Sequence, residues 1–242
     1  MEKTVTEAIA YRRSTRLYTE QPIDTDKVKQ CLINASLAPT SSNLQLWEFY
    51  HVTNKEKLKL LAEACFNQSA ARTAQQLVVV VTRKDLWQKR ANANIDFLNR
   101  VYNKEGLSER DLKRKKMATN YYKKLIPTIY MDFLGILGYI KFFIFQIVGI
   151  FKPIYRQTRL SDMRIVAHKS AGLAAQNFMT SMAAIGYDTC PMEGSDTLRV
   201  KKILNLPSGA EINMVIGCGI RDDKGIYGPR FRIPFKEVYF EV

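Results

Sequence analysis

Two arginine clusters lie near opposite ends of the chain, Arg12-Arg13-Ser14-Thr15-Arg16 and Arg230-Phe231-Arg232. A guanidinium is planar, permanently charged and presents forked donors, which suits bidentate contact with a phosphate. At a helix end such forks make an anion site, although either cluster alone also fits a solvated surface. Two polar loops stand between them. Pro39-Thr40-Ser41-Ser42-Asn43-Leu44-Gln45 sets hydroxyls and amides after a helix-stopping proline, and Cys190-Pro191-Met192-Glu193-Gly194 follows much later. Loops of this composition can hydrogen-bond a ligand edge by edge.

The other reactive side chains point to no second chemistry. Cys31, Cys65, Cys190 and Cys218 are far apart, form no CxxC pair and, with only His51 and His168 beside them, offer no metal-site spacing. They read as reduced core thiols. Cys190 borders a polar loop, yet nothing in the sequence lowers its pKa, so packing is the simpler role. His168 falls mid-helix and reads as structural. Gly217-Cys218-Gly219 lacks the third glycine of a dinucleotide fingerprint.

The elements that must hold these residues follow from pattern. Thr4 and Glu7 have capping-box spacing ahead of Val5, Ala8 and Ile9, so a short helix runs into the first arginine cluster. After Pro22, Thr25 or Asp26 caps a helix carrying Val28, Cys31, Leu32 and Ala35, which Pro39 ends. Trp47–Thr53 reads as a strand, Asn54 caps a helix with Leu58, Leu61 and Cys65, and Leu77–Val81 reads as a strand buried on both faces. A long helix from about Asp162 to Ile185, with Ser161 as cap and Gly186 as stop, is rich in small residues. A loop at Cys190–Gly194, a helix at Asp196–Leu204, a strand at Ile212–Gly219, a basic loop at Gly228–Arg232 and a strand or extended arm at Lys236–Val242 complete the chain. Strands separated by helices predict a layered α/β or α+β sheet.

At 242 residues, with 46% hydrophobic and 25% charged residues, the chain can bury a core and is neither collagen-like nor disordered. A net charge of +14 favours anionic partners: nucleic acid, a phosphorylated cofactor or anionic lipid. The start, Met1-Glu2-Lys3-Thr4, shows no secretory signal, so the expected location is cytoplasmic.

Some eighty residues between the Leu77 strand and the long helix are too many for a plain connection. Arg110, Lys113, Arg114, Lys115, Lys116, Lys123 and Lys124 precede a stretch, Tyr130–Phe151, whose only charges are Asp132 and Lys141. Three placements stay open: burial against a partner subunit or over the site, peripheral contact of segment 110–151 with an anionic membrane, or a span. The span is disfavoured by Asp132, Lys141 and Gln146.

Taken jointly, the RRSTR start, the PTSSNLQLW loop, FNQ at Phe66–Gln68, GLAAQNFMTSMAAIGYDTCPMEG and the IGCGI…PRFR ending resemble the nitroreductase family of FMN-dependent, oxygen-insensitive enzymes. The resemblance covers nearly the whole chain except about residues 100–160. It implies an α+β, three-layer fold with a central mixed sheet flanked by helices. It also implies a homodimer with a swapped terminal arm and an FMN at each of two interface sites. Residues 1–242 then form one FMN-binding domain with a basic and apolar helical insert at about 104–157.

By motif position, Arg12, Arg230 and Arg232 hold the FMN phosphate, Arg13 and Ser14 line the ribityl chain, and Arg16 sits by the flavin N1–C2 edge. A cation there stabilises the charge that reduction places on that edge. Ser41, Ser42 and Asn43 come from the partner, and Pro39 and Gln45 of the same loop also bind the cofactor. Asn67 and Gln68 bond the pyrimidine side, and Pro191, Met192, Glu193 and Gly194 shape a loop in which the Glu193 backbone N–H meets N5, the atom that carries the hydride.

Two departures concern substrate access: the insert, and Ala70 and Ala71 where relatives often carry a lysine, for which Arg72 is the nearest substitute. The implied activity is hydride transfer from NADH or NADPH through FMN to a small-molecule nitroaromatic or quinone acceptor, by a ping-pong course. Alternatives are a reductive dehalogenase or flavin-fragmenting relative, and a non-catalytic basic protein at a membrane surface. No nucleic-acid reading module is recognisable.

Overall fold

The computed structural model describes residues 2–133 and 135–242; Met1, and Leu134 within the apolar stretch, lie outside the described residues. In chain order the helices are α1 (Val5–Tyr11), α2 (Thr25–Ser36), α3 (Lys55–Ala64), α4 (Ser69–Arg72), α5 (Trp87–Val101), α6 (Glu109–Asn120), α7 (Ile126–Tyr130), α8 (Ile136–Phe151), α9 (Leu160–Ala184) and α10 (Thr197–Ile203). The strands are β1 (Trp47–Val52), β2 (Gln76–Thr82), β3 (Asp188–Met192) and β4 (Glu211–Gly219), in sheet order β1-β2-β4-β3.

β2 organises the layers. It is buried along its whole length, and because successive side chains point to opposite faces, its valines feed two cores. Leu77, Val79 and Val81 pack with Leu61, Cys65, Ala70 and Val200 from α3, its cap, α4 and α10. Val78 and Val80 pack with Val28, Ala171, Ala175 and Phe178 from α2 and α9. The result is the three-layer α+β arrangement, with helices on both faces of the sheet.

The sheet is not mixed: all three of its pairings are antiparallel. Among the described residues its one parallel contact is an isolated bridge from Ser14 to Thr189 of β3, which is too short to make a strand. The C-terminal residues likewise form no strand. A 3-10 turn at Phe235–Glu237 interrupts them, Phe235 stacks on Tyr239 at 4.9 Å, and Phe231, Phe235 and Phe240 lie more than 70% exposed. An extended segment with no strand edge beside it has nowhere to place its backbone pairs or its aromatics.

Smaller boundaries shift for identifiable reasons. Asp24, rather than Thr25 or Asp26, caps α2, its carboxylate accepting from the backbone of Asp26 and Lys27. α9 begins at Leu160 with Arg159, not Ser161, at the cap position, where Asp162 bonds back to it at 3.0 Å. Cys190, Pro191 and Met192 belong to β3, so the expected loop starts only at Glu193.

The excursion between β2 and α9 is helical. A third core of Leu44, Leu46, Ala91, Ile126, Tyr130, Met163 and Ala167 holds it to α9, and Trp87 stacks on Tyr130 at 5.9 Å. Among the described residues no helix is long and apolar enough to cross a membrane.

Candidate functional site

The first arginine cluster is positioned by the end of α1. Thr4 and Glu7 form the capping box, with Thr4 N–H donating to Glu7 Oε2 at 2.8 Å. At the other end Arg230 donates from Nη2 to the carbonyls of Ala10 (2.8 Å) and Arg12 (2.6 Å), a cation closing the helix C-terminus. Tyr11 is fixed from β3 and from the segment after β4: its hydroxyl reaches Asp188 Oδ2 at 3.4 Å, and the Arg221 guanidinium lies 4.1 Å from its ring centroid. Arg221 Nε in turn donates to Asp188 Oδ1 at 2.8 Å. Burial works against the Arg221 charge, but the bond and attraction to Asp188 outweigh it, so its pKa is raised.

The chain then runs along β3. Thr15 N–H donates to Thr189 O at 3.2 Å and Arg16 N–H to Gly225 O at 2.6 Å. Gly225 is required for that approach, since a Cβ there would lie 2.5 Å from Leu17 O. The Thr15 and Thr189 hydroxyls are buried without a hydrogen-bond partner.

These contacts enclose a cavity of about 240 Å³ lined by Arg12, Arg13, Ser14 and Arg16 on one side and Ile226–Arg232 on the other. The structure thus brings together six of the residues singled out in the sequence. Five arginines and no acid line the cavity. Arg13 spends a donor on Gly228 O at 2.7 Å and Arg232 one on Phe231 O at 2.6 Å, which holds the 226–232 loop in place. Partial burial lowers the Arg12 pKa, and the charges of Arg230 and Arg232 lower it further. Such a cluster is short of negative charge, and an anion answers it.

β3 also carries the second group. Beyond Met192, Gly194 O accepts from Gln68 Nε2 at 2.8 Å, and Asp196 N–H donates to Ala64 O at 2.8 Å, tying Glu193–Gly194 to the α3–α4 turn that holds Asn67 and Gln68. Glu193 and Gly194 are exposed; Arg72 is exposed at the end of α4 and does not line the arginine cavity.

Pro39–Gln45 is not brought to these groups. It precedes β1, the far edge strand from β3, so three interstrand spacings, about 14 Å, separate the two edges. There Ser41 N–H reaches Ser170 Oγ at 3.4 Å on α9, and Asn43 and Gln45 line a separate cavity with Arg90 and Asn94 from α5.

Backbone strain marks the same loops. Of six non-glycine residues with positive φ among the described residues, Ser42, Asn43 and Gln45 lie in one and Phe66 and Asn67 in the other. Asparagine tolerates left-handed backbone, but in Ser42, Gln45 and Phe66 it is costly and tends to persist where a site requires it.

Asn94, Tyr121 and Tyr122 carried no sequence signal, yet they brace the first loop. Asn43 Nδ2 donates to Asn94 Oδ1 at 2.8 Å, the Ser42 and Tyr121 hydroxyls pair at 2.6 Å, and Tyr122 donates to Ser42 O at 3.1 Å. Tyr121–Leu125 forms a π-helical turn, a feature frequent at functional sites.

The remaining candidates are structural. Cys190 is buried, and burial raises its thiol pKa despite Arg16 and Arg12 nearby. His168 bridges layers, contacting Glu211 Oε2 at 3.3 Å and Asn213 Nδ2 at 3.1 Å. No group of three or more metal-ligating side chains occurs among the described residues.

The chain is a three-layer α+β protein with an arginine-lined cavity beside the β3 edge. The nitroreductase family profile matches residues 9–220, and the chain belongs to that family. It is 26% identical over 218 residues to Protein DrgA of Synechocystis sp., covering 90% of this chain and 84% of that one. A Staphylococcus epidermidis protein provisionally named an NAD(P)H nitroreductase is 27% identical over 94% of this chain and 92% of its own length. Among solved structures, Bacillus subtilis ydfN superposes with a TM-score of 0.73 at 22% identity, covering 98% of each chain. An Exiguobacterium sibiricum protein solved in complex with FMN superposes at 0.68 with 21% identity, over 99% of this chain and 98% of that one.

Proposed function

We propose that this protein is an FMN-dependent NAD(P)H oxidoreductase whose acceptors are nitroaromatics or quinones. Residues 1–242 act as one FMN-binding domain with an insert at about 104–157. The observation that carries the reading is the cavity with five arginines and no acid, adjoining β3, in a chain of this family.

The residues present fit the phosphate end of FMN. Arg12, Arg16 and Arg232 supply cations, Ser14 supplies a hydroxyl, and the mutual repulsion already felt at Arg12 is relieved by a dianion. Arg230 holds α1 and the loop together while adding its charge. Asn67, Gln68, Glu193 and Gly194 would face the ring where β3 ends, with Pro191 and the core-buried Met192 holding the strand beneath them, and backbone donation from Glu193 needs no ionised side chain. When bound, FMN supplies two-electron chemistry, taking a hydride from NADH or NADPH and delivering it to the acceptor.

The cavity of about 240 Å³ is smaller than the 300–1,000 Å³ typical of ligand pockets. Pro39, Ser41, Ser42, Asn43 and Gln45 stand across the sheet, so a second copy of the chain completes the site, and the exposed aromatic arm is the segment available to exchange. Donor and acceptor then use one cleft in turn, which is the ping-pong course.

An absorbance spectrum of the purified protein, followed by anaerobic addition of NADPH and then NADH, tests the reading. A flavin band that bleaches with a pyridine nucleotide and returns on adding a quinone or nitroaromatic is the expected result. Protein that neither contains flavin nor binds added FMN would overturn the reading.

A further inference from the structure

A water-facing helix normally turns its apolar stripe inward. α8 is apolar nearly all round: Leu137, Phe145 and Val148 are half-buried on its covered side together with its few polar residues, and the opposite side is left uncovered. Gly138, Lys141, Phe142, Gln146 and Gly149 recur at helical spacing on the side that meets the rest of the chain. A Cβ on Gly138 would sit 3.1 Å from Arg159 Cα, and one on Gly149 would collide with the Arg156 guanidinium, so the 152–159 segment lies close along this face.

Most polar groups on and beside this face are bonded there, Asp132 Oδ2 being buried without a partner. Lys141 Nζ donates to the carbonyls of Thr128 (3.0 Å), Ile129 (3.2 Å) and Met131 (2.6 Å), closing the end of α7. Gln146 Oε1 accepts from Arg156 Nη1 at 2.7 Å, and Asp132 Oδ1 accepts from Gly138 N–H at 2.9 Å. The three residues that count against an apolar environment are therefore withdrawn from the outer face.

That outer face holds Ile136, Ile140, Phe143, Ile147, Ile150 and Phe151, each between 50% and 83% exposed. With Tyr139 and Ile144 the stripe amounts to roughly 800 Å² of apolar surface, above the largest patch an ordinary monomer shows. Its surroundings are cationic. From Leu112 to Arg159 the chain carries ten Lys or Arg and one acid, the inward Asp132. Lys123, Lys124, Lys152 and Arg156 are exposed in the segments flanking α8. At 16 residues α8 is too short to span a bilayer, whereas an uncharged apolar face with basic flanks is what a helix lying in the headgroup region presents.

We propose that α8 is a monotopic membrane anchor that seats its outer face in the surface of an anionic bilayer. A second copy seated on this face is disfavoured, because pairing two such faces would set the exposed Lys123, Lys124, Lys152 and Arg156 of one chain against those of the other. The anchor does not depend on what fills the arginine cavity, so its failure and that of the flavin reading are separable.

The test is co-sedimentation of the full-length protein with vesicles of phosphatidylcholine alone or mixed with phosphatidylglycerol, at low and high salt. Binding is expected to the mixed vesicles, weakened by salt. Phe143→Asp/Ile147→Asp, at exposed positions, should lower partition at least about tenfold with the melting temperature unchanged. Lys123→Glu/Lys124→Glu should lower it roughly tenfold at low salt only. Protein that stays in the supernatant with anionic vesicles, or binding that neither pair of substitutions reduces, overturns the proposal. Halving of the sedimenting mass in the Asp variant also overturns it and assigns the face to a second copy.

Discussion

Arg12→Ala separates a phosphate site from a merely basic surface, because its effects on the free and the flavin-loaded protein should differ in sign. In the free protein the side chain is partly buried among Arg230 and Arg232, and its pKa is lowered by that burial and by those charges. Its removal deletes repulsion and breaks no hydrogen bond, since Arg230 grips the Arg12 carbonyl rather than its guanidinium. Solvent screens the repulsion, so the melting temperature of flavin-free protein should hold or rise by about 1–3 °C, at about 2–4 °C per kcal/mol for a chain of this length.

With FMN present the same change removes one charge-assisted contact to phosphate, worth about 1.5–3 kcal/mol, less the repulsion relieved. A net loss of about 1–2 kcal/mol weakens FMN by roughly 5- to 30-fold. Fluorescence titration with FMN and with riboflavin gives the assay, since riboflavin lacks the phosphate and should bind the variant and the parent alike. Equal FMN affinity in both proteins, or an equal loss for riboflavin, would refute the reasoning.

Tyr122→Phe removes the bond to Ser42 O and should weaken FMN a few-fold, at about 0.5–1.5 kcal/mol, with little change in melting temperature; equal FMN titrations would show that the insert does not brace the loop. Gly217→Ala would push a Cβ to 2.6 Å from Ala70 O between β4 and α4, so a cost of about 1–3 kcal/mol and a fall of several degrees in calorimetry are expected. All four thiols should resist Ellman's reagent at pH 8 in the native protein, because burial pushes Cys31 and Cys65 up to about 11 and raises Cys190 and Cys218 as well. At Glu211 burial raises the pKa, but the bonds from Arg164 and His168 prevail and leave it below the ordinary value. A lowered folded pKa contributes stability above the unfolded value and loses it on acidification. Glu211→Gln should therefore flatten the fall in melting temperature as pH drops from about 5 toward 3, and an unchanged slope would count against the pairing.

What the sequence showed, and what it did not, divides along physical lines. Leu77–Val81 announced a doubly buried strand because an unbroken apolar run cannot face water, and β2 is buried throughout. Thr4 and Glu7 announced a capping box because both partners lie within one turn. The two arginine clusters were visible by residue type, but their convergence depends on Arg230 reaching α1 across 220 positions of sequence. The antiparallel sheet was not legible, since strand direction depends on where long connections return. The left-handed backbone at Ser42, Gln45 and Phe66 was hidden because none of these types favours it. α8 had a readable period in its small and polar residues, Gly138, Lys141, Gln146 and Gly149, but the polar side of a helix is expected outward, and here it faces in.

The division of the site across the sheet links assembly to chemistry. One chain offers the arginine cavity, β3 and the Gln68–Gly194 tie at one edge, and the strained Ser42–Gln45 loop at the other. No hinge within a four-stranded antiparallel sheet can bring those edges together, because closing about 14 Å would break the pairing of β2 with both neighbours. In the dimer proposed above, a two-fold axis would bring such edges together without strain, presenting the loop edge of one chain to the cavity edge of another, twice over. The excursion braces the loop edge through Asn94, Tyr121 and Tyr122, and the same excursion carries the exposed apolar face of α8. On the proposed reading, changes in that excursion would alter the loop edge through Asn94, Tyr121 and Tyr122, whereas changes at the cavity arginines would alter the hold on the FMN phosphate.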